Sequence, residues 1–196
     1  MTGPVETEIK LAVQKKEDTE RRLHKAGFVI ESPRKFEGNT LYDTPDQQLR
    51  QNRSLLRLRQ AGDQGIVSWK GRPVNVPRKT RPELETTVGS LDALAAIVTQ
   101  LGFKPVFRYE KFRTEYGRPP DTGVVVLDET PIGTFLELEG PGQWIDATAA
   151  ELGFSLRDYI LDSYARLYVL DCERLGLQPK HMVFSSEEEG CPTPQL

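Results

Sequence analysis

The sequence predicts an α+β fold in which antiparallel strands close into a barrel with helices packed outside, and three observations carry that expectation. Charged or polar residues recur at every second position in seven short segments. Apolar residues fill the alternate positions of most of them, and three helical segments each follow such a strand and stop at a glycine-phenylalanine pair. Side chains of a strand alternate between its faces, so each segment has one charged side and one side able to pack beneath helices. Closing the sheet removes its edges and turns the charged faces inward.

The elements follow in order. Residues 5–11 read as a strand with Glu6, Glu8 and Lys10 on one side, and the stretch to Ala26 as an amphipathic helix ended by Gly27, which suits the left-handed position after a helix. Asn39 to Asp43 reads as a strand entering the turn Thr44-Pro45-Asp46. Ser54 to Gln60 carries Arg57 and Arg59 above Leu56 and Leu58, and after a turn Ile66 to Lys70 carries Ser68 and Lys70 above Val67 and Trp69, giving an antiparallel meander. Residues 71–80 hold two prolines and several bases and read as a mobile loop, and Gly117 to Gly123 as a second turn-rich connection. Arg81, Glu83 and Glu85 then share a face, and Ser90 is placed to cap a helix through Gln100. Lys111, Arg113 and Glu115, then Val126 and Asp128, then Glu137 and Glu139, supply the remaining charged strands. Asp146 is expected to cap a short helix before Gly153, and Ser155 to Gly176 to form one long helix from the spacing of Leu156, Tyr159, Ile160, Tyr164, Leu167 and Leu170. One domain over residues 1–180 is expected, followed at 181–196 by a disordered acidic tail without apolar anchors.

Composition narrows the function. Apolar residues make up 37% of the 196, enough for one core but not for a packed apolar barrel interior. The 29 acids and 26 bases nearly balance, so no net basic field favours nucleic acid. Cys172 and Cys191 suggest neither a disulfide framework nor a zinc site, no run approaches a membrane span, and a reducing cytoplasm is the expected compartment. His24 and His181 read as solvated side chains.

A lumen carrying Lys10, Arg57, Arg59, Lys70, Arg81, Lys111 and Arg113 needs a polyanion or carboxylates to neutralise it, because unpaired buried charge is costly. Arginine forks suit phosphate oxygens and lysine supplies a compact charge, which points to a run of phosphates. Glu6, Glu8, Asp128, Glu137 and Glu139, without histidine, suit a hard cation such as Mg2+ or Mn2+; the alternative for them is a set of internal salt bridges.

These residues together resemble the CYTH superfamily of triphosphate tunnel metalloenzymes. Glu6-x-Glu8-x-Lys10 matches its signature. Tyr42-Asp43, Arg57-x-Arg59, Trp69-Lys70, Arg81-x-Glu83-x-Glu85, Lys111-x-Arg113, Asp128, Glu137-x-Glu139 and Ser163-Tyr164 follow in the family's order. The resemblance implies an eight-stranded antiparallel tunnel with a triphosphate on the basic side chains and one or two divalent ions on the acids. It further implies hydrolysis of a triphosphate, first of all inorganic triphosphate. Glu6, Glu8, Lys70, Glu83 and Glu85 are the catalytic candidates; the last two would ligate a second ion, orient water, or pair with Arg81 or a lysine. A class IV adenylyl cyclase making cyclic AMP and pyrophosphate from ATP is the alternative, followed by a thiamine triphosphatase and a polyphosphate-binding protein without turnover. Inorganic triphosphate, ATP or thiamine triphosphate is the expected partner, with neither nucleic acid nor membrane, and a homodimer is left open.

Overall fold

The computed structural model describes residues 5–75 and 77–185. Strands β1 (Val5–Val13), β2 (Val29–Asp43), β3 (Leu55–Ala61), β4 (Gln64–Lys70), β5 (Val74–Asn75), β6 (Lys79–Val88), β7 (Lys104–Gly117), β8 (Val124–Thr130) and β9 (Gly133–Glu139) form one antiparallel sheet. Eight of them close a barrel in the order β1-β9-β8-β7-β2-β3-β4-β6, with β6 returning to β1; β5 adds a short pairing on β6 beyond the end of β4. Helices α1 (Lys16–Lys25), α2 (Gln48–Gln51), α3 (Leu91–Gln100), α4 (Gly142–Glu151) and α5 (Tyr164–Leu175) complete the chain. No helix among the described residues is long and apolar enough to cross a membrane.

The apolar alternate positions pack outward. Ile9, Leu11, Leu127, Leu136 and Leu138 meet Leu23 of α1 and Ile145 and Ala149 of α4 in the main core. Leu56, Leu58 and Val67 lie under Leu91, Leu94, Ala95 and Val98 of α3. Each large aliphatic side chain so buried contributes about 1.5–3 kcal/mol. Ser90 caps α3 as expected, its hydroxyl accepting from the Ala93 amide. At one end of the barrel Tyr109, Phe135, Tyr164 and Met182 form a third cluster.

Several boundaries depart from the sequence reading. Strand β2 begins at Val29 rather than Asn39; register shifts between Ile30 and Lys35 spoil its two-residue period, and Pro33 is accommodated there because β3 pairs only from Glu37 onward. Residues 71–80, expected as a loop, include β5 and the first two residues of β6. Asp146 lies inside α4, whose cap is Pro141. The long helix expected from Ser155 is broken: Leu156–Asp158 form a single 3₁₀ turn closed by a Ser155–Asp158 capping box, and α5 starts after Ser163, whose hydroxyl accepts from the Arg166 amide. Between them Ile160 exchanges both backbone hydrogen bonds with Lys10, occupying the edge of β1 past the end of its pairing with β6. Residues 181–185, expected in the tail, pack against the barrel. Met182 is fully buried and bridges to β7 through the Arg108 carbonyl and Glu110 amide, and Phe184 packs on Phe112. The rest of the expected tail, 186–196, lies outside the described residues.

Candidate active site

Register alone carries the charged faces into the lumen. Across β6, β1 and β9, Glu8 stands opposite Lys79 on one side and Glu139 on the other, and Lys10 opposite Glu137. Arg113 faces Asp128, Glu37 faces Lys111, Asn39 faces Arg59, and Lys70 faces Glu83. The lumen holds a cavity of about 590 Å³ whose lining includes eight basic and seven acidic side chains. All seven basic candidates read from the sequence line it, as do Glu6, Glu8, Glu83, Glu85, Glu137 and Glu139; Asp128 does not.

The acids fall into two environments. Glu6, Glu8, Glu83 and Glu139 gather near Lys70 and Lys79. Lys70 Nζ donates to both Glu6 carboxylate oxygens at 2.7 Å and pairs with Glu83 at 2.9 Å, while Lys79 pairs with Glu8. Burial, reinforced by the neighbouring Glu8 charge, pushes the Glu6 carboxyl up to about 7, and the same two causes raise Glu139. Burial also raises Glu8, but Lys10 and Lys79 outweigh it and hold this carboxyl well below the usual range.

In the other environment bases enclose the acids. Asp128 is fully buried and accepts from Lys111 Nζ at 2.9 Å, Arg113 Nε at 2.8 Å and Nη2 at 2.6 Å, and the Tyr164 hydroxyl at 2.8 Å. Glu137 pairs with Lys10 and Arg113, which overcome burial and keep it ionised. Burial opposes the charge on Glu37, yet Lys111 and Arg113 bring its carboxyl down to about 2. The five acids expected to share a metal differ in their surroundings: Asp128 and Glu137 lie against Lys111, Arg113 and Lys10, whereas Glu6, Glu8 and Glu139 lie toward β6, with Lys10 bridging Glu8 and Glu137. Among the described residues no three acidic, histidine or cysteine side chains converge closely enough to hold a cation unaided. The donor chemistry nevertheless fits a hard ion, since Glu6 and Glu139 are each repelled by the Glu8 and Glu83 charges, a repulsion that a divalent cation would relieve, with phosphate oxygens completing its shell.

The bases also show where an anion is wanted. Arg57 Nη2 donates to Ser68 at 3.0 Å and to Glu85 at 3.2 Å, and Arg59 Nε to Asn39 at 3.1 Å. Burial and the adjacent Arg57 guanidinium both lower Arg59. Arg57 Nε, Arg81 Nε and Asn39 Nδ2 are buried without a hydrogen-bond acceptor, an expensive state for N–H donors in a protein interior. Glu85, whose carboxylate accepts from Ser68 at 2.6 Å, is partly open to solvent.

Sequence reasoning passed over Glu37, Asn39, Lys79 and Tyr109. Asn39 opens the expected strand and Glu37 shares its parity, as Lys79 does with Arg81; extending either strand by two residues would have found Glu37 and Lys79. Tyr109 lines the cavity beside Arg57. Burial raises its phenol, but Arg57, Lys111 and Arg59 prevail and lower it. The Tyr42-Asp43 turn serves structure: the Asp43 carboxylate accepts from the amides of Thr44, Leu49 and Arg50 and so fixes the start of α2. Trp69 points outward as expected, 39% exposed.

Comparison with known proteins follows the same lines. A family model described as CYTH domain matches residues 5–169. A Methanocaldococcus jannaschii protein named "Putative adenylate cyclase" is 30% identical over 135 residues, covering 69% of this chain and 76% of that protein. Among solved structures, a Vibrio parahaemolyticus protein also called a "putative adenylate cyclase" superposes with a TM-score of 0.75 at 20% identity, covering 84% of this chain and 98% of its own. A Hippeastrum "Putative adenylyl cyclase", said to have a dominant triphosphatase activity, gives 0.58 at 18% identity over 89% and 97%. At these identities the structural likenesses speak for the fold.

Proposed function

The chain belongs to the CYTH family, and from that premise we propose that it is a divalent-metal-dependent triphosphatase whose best substrate is inorganic triphosphate. The observation that supports this most is the pair of buried guanidinium donors, Arg57 Nε without an acceptor and Arg81 Nε with only the Glu6 carboxylate at 3.6 Å, in a cavity also lined by Glu6, Glu8, Glu83 and Glu139. A polyphosphate chain supplies acceptors to the donors, and a metal ion supplies charge to the carboxylates.

In this reading Arg57, Arg59, Lys111 and Arg113 bind the phosphates from β3 and β7, with Lys10, Lys70 and Arg81 reaching in from β1, β4 and β6. Glu6, Glu8 and Glu139 would hold the cation, which when bound lowers the pKa of water and offsets charge at the scissile phosphoryl group. Lys70, fixed between Glu6 and Glu83, is placed to pass from carboxylate to phosphate as charge builds. Glu83 and Glu85 orient the attacking water. Asp128 keeps Lys111 and Arg113 extended toward the cavity.

A second reading is favoured by the name of the Methanocaldococcus jannaschii relative: the same tunnel would hold the triphosphate of ATP for attack by the ribose 3′-hydroxyl at the α-phosphorus. The test is a product assay on purified protein with Mg2+ or Mn2+, offering inorganic triphosphate, ATP and thiamine triphosphate separately. Phosphate release, fastest from inorganic triphosphate, is expected; cyclic AMP and pyrophosphate from ATP would replace the hydrolase with the cyclase.

A further inference from the structure

Resting on that reading, we infer that Lys79 is a tethered counter-ion of Glu8, which neutralises this carboxylate in metal-free protein and surrenders its place to the divalent ion. Glu8 has a like charge, Glu139, directly opposite it on β9 and Lys79 directly opposite it on β6. Like charges facing across a strand pair are destabilising. Lys79 is itself buried, its side chain 7% exposed, and its Nζ pairs with the same Glu8 oxygen that accepts from Lys10 at 3.2 Å. It thereby offsets the Glu8–Glu139 repulsion from the position a cation would relieve.

Leaving a buried ammonium without an anion is costly, so a divalent ion that takes Glu8 favours the transfer of Lys79 to another partner. The nearest supply is the triphosphate, because Lys79 lines the same cavity as Arg57 and Arg81. Lysine suits such a relocation: its charge sits at the end of a flexible four-carbon stem, whereas an arginine fork is committed to fixed directions. The backbone stays in place. At Lys79, β6 pairs with β1 on one edge and β5 on the other. The preceding Arg78 is tied to Asp146 of α4, which also accepts from the Tyr159 hydroxyl at 2.9 Å. Arg78 lies so close to α4 that a Cβ on Gly142 would come within 2.7 Å of its Nη1. Movement is thus confined to the Lys79 side chain. Cation and triphosphate become coupled through one residue, and a cation arriving alone must compete with it.

Calorimetric titration of the full chain with Mn2+ alone, without any phosphate, tests this. Lys79→Met is expected to tighten Mn2+ binding several-fold by removing the competing charge, with Lys79→Arg remaining close to wild type. A lysine that merely organises the carboxylates predicts weaker or unchanged binding in Lys79→Met, and either result overturns the inference. Absence of Mn2+ binding in wild type would instead remove the metal reading beneath it. Should Lys79→Met fail to fold, amine acetylation of wild-type protein followed by mass spectrometry decides: Mn2+ should increase labelling at Lys79 several-fold, and unchanged labelling would sink the proposal.

Discussion

The two halves of the lumen use the same residue types to opposite ends. Near β1, β6 and the end of β9, carboxylates crowd one another and two of them, Glu6 and Glu139, are pushed toward their neutral forms. Around β7 and β8, Lys111, Arg113 and the Tyr164 hydroxyl enclose Asp128, and Glu37 is held strongly ionised. In the first half Glu6 and Glu139 are a cost to the metal-free fold that a ligand can recover. In the second half an acid is part of the framework that keeps bases extended. A motif of alternating charge does not distinguish these cases; its surroundings do.

Asp128→Asn should have the largest effect. It leaves Lys111 and Arg113 facing one another without their shared counter-ion, and a loss of about 3–5 kcal/mol in urea unfolding is expected, as for other buried pairs broken on one side. A loss below about 1 kcal/mol would dissolve the distinction between the halves. Glu139→Gln, in the crowded half, should lower metal-dependent turnover by about 100-fold or more while leaving the urea midpoint at neutral pH unchanged or slightly higher. Turnover equal to wild type would take Glu139 out of the metal site.

The halves should also titrate in opposite senses. Glu37, lowered from 4.5 to about 2, stabilises the fold above its unfolded pKa, and that contribution is lost as pH falls from 4.5 toward 2. Glu6, raised to about 7, binds its proton more tightly when folded, so metal-free protein should lose stability as pH rises from 4.5 through 7. Urea midpoints measured across pH should therefore flatten at low pH in Glu37→Gln and between pH 4.5 and 7 in Glu6→Gln. A common pH profile for both variants would show that the two environments are not separate. The smallest change, Ser90→Ala at the cap of α3, should cost about 1 kcal/mol with no change in turnover, and so gives the scale for substitutions remote from the lumen.

Much of this arrangement was legible in the sequence where a period of two ran unbroken. Glu6 to Lys10, Arg57 to Arg59 and Lys111 to Glu115 show their lumenal faces without any structure, and their apolar neighbours Leu56, Leu58 and Leu138 show the faces that α3 and α4 cover. Glu37 was hidden because Gly38 and the register shifts before Lys35 interrupt the pattern, and Lys79 because the prolines around it read as a loop. The fate of the acids could not be read locally at all. Asp128 is neutralised by residues of β7 and by Tyr164 of α5, and that encounter depends on strand register and on a helix more than thirty residues away. The break at Ile160 was equally invisible, since the segment keeps helical spacing but finds a vacant strand edge that only the closed barrel offers.

That edge sets a schedule for the newborn chain. β1 is made before all of its partners, Lys79 to Pro82, Thr134 to Glu139 and finally Ile160. At about 5–20 residues per second, β1 waits on the order of ten seconds before its last edge can be covered, with apolar Ile9 and Leu11 on one side and unpaired backbone along its length. Contacts of such long sequence separation favour slow folding. The alternating charges of Glu6, Glu8 and Lys10 then serve a purpose apart from any ligand: they keep an unpaired strand from adding to the edge of another chain during that interval.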